Sequence, residues 1–468
     1  MTTAGRPAAA DTGRRADDLI ARMERVPVSS FHWRVAGILG SGTFFDAFDI
    51  VSIGVVLTAV SATFHLNSGQ AGWLISAGFL GQAIGAIGFG LVSEKWGRRR
   101  VFLTALAVIG VFSVLSVLSW GGLSLGAARF LQGIGLGAEV PVASALLGEV
   151  VRGRSRGRVT VLYKLASPLG NLATSLVAAA LLAALAPATA WRLLFIIGAG
   201  PLLVAGAAWF LLPESPRYLV RRGRLDEAEV VVAQMERAAG PDATPEPPTA
   251  EPAPADLART RLAELFAPGY LRRTLMAWIL WAATYFTLLG ATTWLPSQYV
   301  RVGHVSASRA SLLAGSVTVA AIVLIVLAAT AVDRVGRQWL LVAGYAVSLL
   351  GAVLGVVFWL TGNLHSWLTL YLSGAVLLLG VSVMDPLVYA YTTELYPTRM
   401  RSWGTMSSSA WRAVAAVVAP ILIGQILQSG LGVGVVFVLF GGVLVVGLVV
   451  QSIWGIETKQ AQLERLSR

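Results

Sequence analysis

Glu94-Lys95-Trp96-Gly97-Arg98-Arg99-Arg100 interrupts a stretch otherwise free of charge: no acidic or basic residue stands between Leu66 and Ser93 or between Val101 and Ala128. Each flank exceeds the ~20 apolar residues an α-helix needs to cross ~30 Å of hydrocarbon. The seven residues therefore read as a short basic turn between two membrane-spanning helices. The pattern recurs in both directions from this turn. Twelve apolar runs qualify, at 36–60, 72–93, 101–119, 123–147, 162–185, 192–212, 274–296, 309–331, 339–360, 367–391, 403–428 and 432–455. Hydrocarbon offers no partner to a free backbone group, so spans of this length must be helical. The fold class expected is an all-α membrane protein with the lipid bilayer as its surroundings. The first run follows a polar segment containing Arg14, Arg15, Arg22 and Arg25 and lacks a small-residue cleavage site, so it reads as a retained helix.

Composition agrees. Of 468 residues, 56% are hydrophobic and 13% charged, about half the charged share of a soluble domain. The formal net charge of +12 would raise nucleic-acid binding in a soluble protein, but the excess has a topological cause. With the N-terminus placed inside, thirty of the thirty-six Lys and Arg fall on one side, as expected where cytoplasmic loops retain positive charge. Nucleic acid is not needed to explain it, and both termini are expected in the cytoplasm, with the chain in the plasma (inner) membrane. No cysteine is present and the four histidines, at 32, 65, 304 and 365, form no metal-spaced pair, so neither a metal nor a cofactor is expected. No Gly-x-x-x-x-Gly-Lys-Ser/Thr loop occurs, which leaves ion gradients rather than nucleotide hydrolysis as a driving force.

Asp333-Arg334-Val335-Gly336-Arg337 repeats the order acid, base, Gly, Arg 239 residues after Glu94, and Glu394 with Arg399 repeats Glu149 with Arg154 at an offset of 245. Half-chain offsets imply two pseudo-symmetric six-helix bundles. The organisation expected is a cytoplasmic N-terminal segment (1–35), an N-terminal bundle (36–212), a cytoplasmic linker (213–273), a C-terminal bundle (274–455) and a tail (456–468). The linker holds a charged helical piece, Arg221 to Arg237, followed by prolines at 241, 245, 247, 248, 252 and 254, a composition that suits an extended tether.

Together with Arg129, Gln132-Gly133 and Pro213-Glu214-Ser215-Pro216-Arg217, these loops resemble the major facilitator superfamily over nearly the whole chain. Phe45-Asp46-Ala47-Phe48-Asp49 and Gly137-Ala138-Glu139-Val140-Pro141-Val142-Ala143 are similar to the bacterial niacin transporters, with aromatic-acid:proton symporters, sugar porters and organic-ion transporters as neighbours. The resemblance implies two bundles around a cavity that opens alternately to each side. It also implies a gating role for Glu94, Arg98, Glu149, Arg154, Asp333, Arg337, Glu394 and Arg399, whose pairs would hold the halves together at the cytoplasmic end and break when the site faces inward.

A charge at mid-membrane costs at least ~2.5–3.5 kcal/mol and is tolerated chiefly beside a partner or a cavity. Asp46 and Asp49 lie one helical turn apart on the first span and share a face; mutual repulsion and burial make one of them a candidate proton carrier, with Asp49 favoured for depth and a locked salt bridge as the plain alternative. Glu139 could carry a proton, pair with Lys164 or line the cavity. Lys164 could contact a ligand or reach the interface. Arg412 lies too deep to snorkel and offers a planar fork for a carboxylate; its segment resembles the Arg-bearing eleventh helix of aromatic-acid carriers, which implies an organic anion, and an internal bridge to Asp385 is the competing reading. Phe48, Tyr285, Tyr389 and Trp411 are candidates for an aromatic slot. The function expected is proton symport of a small aromatic carboxylate of the nicotinate or hydroxybenzoate type by a monomer, not an enzyme. A sugar:proton symporter ranks lower because Tyr163-Lys164-Leu165-Ala166 lacks the glutamine of sugar sites. Arg412 opposes an organic-cation carrier, and a non-transporting membrane receptor is the reading from another class.

Overall fold

The computed structural model describes residues 6–151, 159–160, 162–240, 262–397 and 400–458. Among them all regular structure is helical, and twelve helices are long and apolar enough to cross a membrane. An N-terminal helix, α1 (Arg6–Arg25), precedes the spans α2 (Ser30–Phe64), α3 (Ser68–Trp96), α4 (Arg98–Val117), α5 (Gly122–Val150) and α6 (Ala166–Ala184). The sixth span is broken into α7 (Pro187–Ile197) and α8 (Pro201–Leu211), because Pro201 has no N–H to continue the ladder and follows Gly198 and Gly200. Two short helices follow, α9 (Pro216–Arg221) and α10 (Leu225–Ala239). The second half comprises α11 (Pro268–Arg301), α12 (Ala307–Val335), α13 (Arg337–Leu360), α14 (Trp367–Leu395), α15 (Arg401–Gln428) and α16 (Gly432–Trp454). The chain is thus an all-α membrane protein of two six-span bundles. The expected proline tether falls on 241–261 and lies outside the described residues.

The repeated loops do mechanical work at helix starts. Gly97 (φ +95°) and Gly336 (φ +102°) turn the chain through a backbone region that side chains disfavour, and α4 and α13 begin one residue later. The first N–H groups of a helix have no partner within it. Glu214 supplies one to α4, its Oε1 accepting from Arg98 N and Arg99 N at 3.1 Å each, and Glu457 does the same for α13, accepting from Arg337 N at 3.0 Å. Each carboxylate follows the last span of its own half, and both ends belong to one pseudo-symmetric design. Glu457 was not singled out from sequence, although Glu457-Thr458 stands 243 residues after Glu214-Ser215.

The polar N-terminal segment, expected only as a lead-in, is an amphipathic helix docked on α10. Leu19 and Met23 are buried with Val231, Val232 and Met235. Around them Arg15 pairs with Asp226 (2.7 Å) and Glu229 (2.5 Å), Arg22 with Glu236 (2.7 Å) and Arg217 with Glu24. Charges that alternate with buried apolar residues at helical spacing are the signal that marks α1 in the sequence.

One face of α3 decides which way the molecule opens. Gly69, Gly72 and Ser76 lie against α15, where a side chain at Gly72 would strike the Pro420 carbonyl and Ser76 Oγ donates to Val417 O at 2.7 Å. Farther along α3, Leu80 and Ile87 are exposed, 45% and 71%. On α15 the matching positions Val414, Trp411 and Met406 are exposed as well. Among the described residues the other side-chain hydrogen bonds between the halves, Arg301 NH1 to Ser68 Oγ (3.0 Å) and Ser308 Oγ to Ala179 O (2.8 Å), sit at the closed end too. The two halves therefore touch at the end away from the basic loops and splay apart at the end that bears them.

Burial raises the Glu214 carboxyl above its ordinary value of 4.5, against the lowering effect of the backbone N–H groups it accepts from. A raised value in the fold means that the stability it confers is largest below 4.5 and declines as pH rises through its titration. Glu214→Ala should lower stability by about 1 kcal/mol through loss of the cap. Thermal unfolding in detergent should show Glu214→Gln gaining on the wild type as pH rises above 4.5.

Candidate substrate and proton site

Asp49 is spoken for. Arg129 NH1 donates to its Oδ1 at 2.5 Å, and Gln132 Nε2, one turn along α5 from Arg129, donates to the same oxygen at 2.8 Å. The side chains are 1% and 5% exposed, and the guanidinium also lies over the Phe195 ring at 5.5 Å. A buried acid neutralised by a buried base is a structural tie between α2 and α5. Asp49, the favoured proton-carrier candidate, is thus ion-paired here, while its second oxygen, Oδ2, has no hydrogen-bond partner. Arg129, read as structural, is its counter-ion.

Asp46 and Glu139 differ. Both are buried, 6% and 0% exposed, and neither makes an ion pair among the described residues. Glu139 Oε1 accepts from Thr43 Oγ1 at 3.2 Å, and Thr43 Oγ1 lies 2.7 Å from the Tyr163 hydroxyl. Asp46 Oδ1 and Glu139 Oε2 are left without a hydrogen-bond partner. Lys164, just ahead of α6, is exposed on the open side, within electrostatic reach of Glu139, Asp385, Arg412 and Asp46. Pro141, two residues past Glu139, and Pro386, next to Asp385, remove helix bonds beside these acids in α5 and α14.

The second half supplies the opposite charge. Arg412 stacks over the Tyr285 ring, 5.2 Å from guanidinium carbon to centroid, and its Nε has no hydrogen-bond partner. The anticipated bridge from Arg412 to Asp385 is not formed; the Tyr285 hydroxyl donates to Asp385 Oδ1 instead. Tyr389 meets Trp281 edge-on at 4.4 Å, and Trp411 packs on Trp278 at 5.7 Å. Tyr389 and Trp411 are 41% and 38% exposed and line the opening, whereas Tyr285 is 3% exposed beneath Arg412. Phe48, 1% exposed, packs with the rings of Phe44 and Phe45.

At the open end Arg98 NH2 bridges to Glu149 at 3.1 Å, Arg221 joins the same carboxylate at 3.2 Å, and Arg337 Nε bridges to Glu394 at 3.3 Å. Glu149 and Glu394 thus bind the arginines of the helix-start loops; Arg154 and Arg399, expected beside them, lie outside the described residues. The side chain of Asp333 lies outside them too, and Glu94 is exposed. Thr43, Gln132, Asp385 and Tyr163 were not proposed as site residues; a polar residue within an otherwise apolar span is the signal each of them carried.

Two six-span bundles with buried charges of both signs around a one-sided opening define a membrane transporter. The chain belongs to the sugar (and other) transporter family of the major facilitator superfamily, whose profile matches residues 35–468. It is 31% identical to the niacin transporter of Acinetobacter baylyi, over 96% of this chain and 99% of the relative, and 28% identical to the 4-hydroxybenzoate transporter of Pseudomonas aeruginosa, over 83% and 84%. Among solved structures, the inward open conformation of the xylose transporter from E. coli superposes with a TM-score of 0.73 at 17% identity, covering 93% of this chain and 99% of that one. It is a likeness of fold.

Removing one partner of a buried pair strands the other charge, at about 3–5 kcal/mol. Asp49→Ala should therefore lower the unfolding temperature sharply, and Asp49→Ala with Arg129→Met should recover much of the loss; equal melting of single and double variants would contradict the pairing.

Proposed function

We propose that this protein carries a small aromatic monocarboxylate, of the nicotinate or hydroxybenzoate kind, into the cell together with a proton by alternating access. The observation that carries the reading is Arg412: a guanidinium buried among span helices, stacked on Tyr285, with no carboxylate in ion-pair contact among the described residues. Its free edge suits a carboxylate, and the exposed rings of Tyr389 and Trp411 suit a flat ring beside it. Similarity to carriers named for niacin and 4-hydroxybenzoate supports the substrate class.

Charge arithmetic supports the proton. Asp46, Glu139 and Asp385 face Lys164 and Arg412, three acids against two bases. A monoanion added to that cluster brings a further negative charge into a region of low dielectric, and one proton restores the charge the empty site carried. Asp46 is the natural first acceptor because it lies within reach of Arg412 across the opening. Ionised, it competes with the substrate carboxylate for the guanidinium; protonated, it releases it. Lys164 with Asp385 and Asp46 with Arg412 are then attractions between the halves that draw the open end shut.

In this reading the bundles 36–212 and 274–455 rock about the site, joined by the linker 213–273, with 1–35 and 456–468 on the same side. The basic loops place that side in the cytoplasm, and the opening faces inward. Arg98 with Glu149 and Arg337 with Glu394 brace the cytoplasmic end of each bundle, the surface on which the gate closes, and Glu94, Arg154, Asp333 and Arg399 belong to that gate.

Proteoliposomes with an alkaline interior should accumulate labelled nicotinate, and hexoses should not compete; accumulation indifferent to the imposed gradient would remove proton symport. Arg412→Ala should weaken nicotinate binding about 100-fold or more, the scale expected for a desolvated charge pair, with Arg412→Lys recovering part of it. Asp46→Asn should bind nicotinate with an affinity that no longer falls as pH rises, measured by calorimetry on the purified protein.

A further inference from the structure

Glu139 is sealed, 0% exposed, with Leu136, Val142 and Phe102 buried about it. A carboxyl that exchanges a proton with water from such a position needs a path. Its one side-chain hydrogen bond among the described residues runs to Thr43 Oγ1 (3.2 Å), which lies 2.7 Å from the Tyr163 hydroxyl; the buried Tyr163 ring in turn lies under the ammonium of the exposed Lys164, 5.7 Å from nitrogen to centroid. We propose that Thr43 and Tyr163 form a two-hydroxyl relay that moves the proton between Glu139 and the open end of the cavity. The relay rests on the proton-symport reading and adds to it the route the proton takes.

Hydrogen-bond valence carries the argument. Thr43 has one hydroxyl proton and two neighbours, the Glu139 carboxyl and the Tyr163 oxygen. With Glu139 ionised, Thr43 donates to Glu139 and Tyr163 donates to Thr43. With Glu139 protonated, Glu139 donates to Thr43, Thr43 donates to Tyr163, and the Tyr163 proton turns away from Thr43. One proton taken up by the Tyr163 oxygen, with its own proton passing to Thr43 and the Thr43 proton to Glu139, converts the first chain into the second. Each hydroxyl oxygen gains one O–H bond as it loses another, the Glu139 oxygen gains the one proton that hydronium in the open cavity gives up, and no hydroxyl is left charged. The charged groups facing Glu139 are Asp46 on α2 and Lys164 ahead of α6. Gly42 keeps the contact short: a methyl there would come within 2.7 Å of Glu139 Oε1.

Infrared difference spectroscopy after a pH jump on the purified, substrate-free protein tests the relay without reference to cargo. The reporter is the carboxyl band that Glu139→Gln abolishes. Tyr163→Phe and Thr43→Val, each removing a hydroxyl at nearly constant shape, should slow its appearance about tenfold or more. Thr43→Ser should recover the rate that Thr43→Val loses, and Gly42→Ala, which displaces Glu139 with every hydroxyl retained, should slow it too. Unchanged rates in both hydroxyl variants, or no band dependent on Glu139, would overturn the relay. In proteoliposomes Tyr163→Phe and Thr43→Val should each reduce gradient-driven nicotinate uptake by a larger factor than counterflow at equal pH. A wild type that performs counterflow and ignores the gradient would sink proton symport and the relay together, whereas a gradient-sensitive wild type matched by both variants would sink the relay alone.

Discussion

A charge withdrawn from water into a span is tolerated only where something answers it, and that constraint organises this molecule. Asp49 is answered by Arg129 and Gln132, and the three tie α2 to α5 as a fixed joint within the first half. Asp46, Glu139, Lys164, Asp385 and Arg412 are answered only in part, by hydroxyls, by aromatic faces and by one another across a gap. Incomplete neutralisation is what a carrier needs, because a site already balanced by its own side chains has no reason to take a guest. In the proposed reading the substrate carboxylate answers Arg412, and the proton that accompanies it keeps the net charge of the gap unchanged.

The same economy governs the ends of the helices. Spans that begin straight after a tight turn leave backbone N–H groups unmatched, and each half solves this with a carboxylate returned from beyond its final span, Glu214 or Glu457. Arg98 and Arg337, the first residues of those helices, then reach Glu149 and Glu394. Every one of these bonds lies within a single half, so each bundle can keep its own end rigid while the gap between bundles changes. Half-to-half bonds gather at the far end, where Gly72 lets α3 and α15 approach backbone to backbone.

Most of the architecture was legible beforehand, since the bilayer imposes length, helicity and charge asymmetry on any chain that crosses it. All twelve spans lie where apolar run length put them, with ends that differ by a few residues and most helices longer than the run, while α4 ends at Val117 and α6 begins at Ala166. Two elements escaped: α1, whose apolar residues are too few to resemble a span, and the break of the sixth span at Pro201. The site was legible as a set of misplaced charges and illegible as a set of pairs. Asp46 and Asp49 look alike in the sequence, three residues apart on one helix, yet only Asp49 meets an arginine.

The amino-acid order alone therefore determined a twelve-span, two-fold repeated membrane protein and the short catalogue of ionisable residues that have no place in lipid, because hydrophobic length and charge are local properties. That Asp49 pairs with Arg129, that Phe48 is buried while Trp411 is exposed, and that Arg412 stacks on Tyr285 with no ion pair among the described residues follow only from packing. Those outcomes depend on which helices become neighbours and how far each is turned, and contacts between residues about a hundred positions apart leave no mark on either segment by itself.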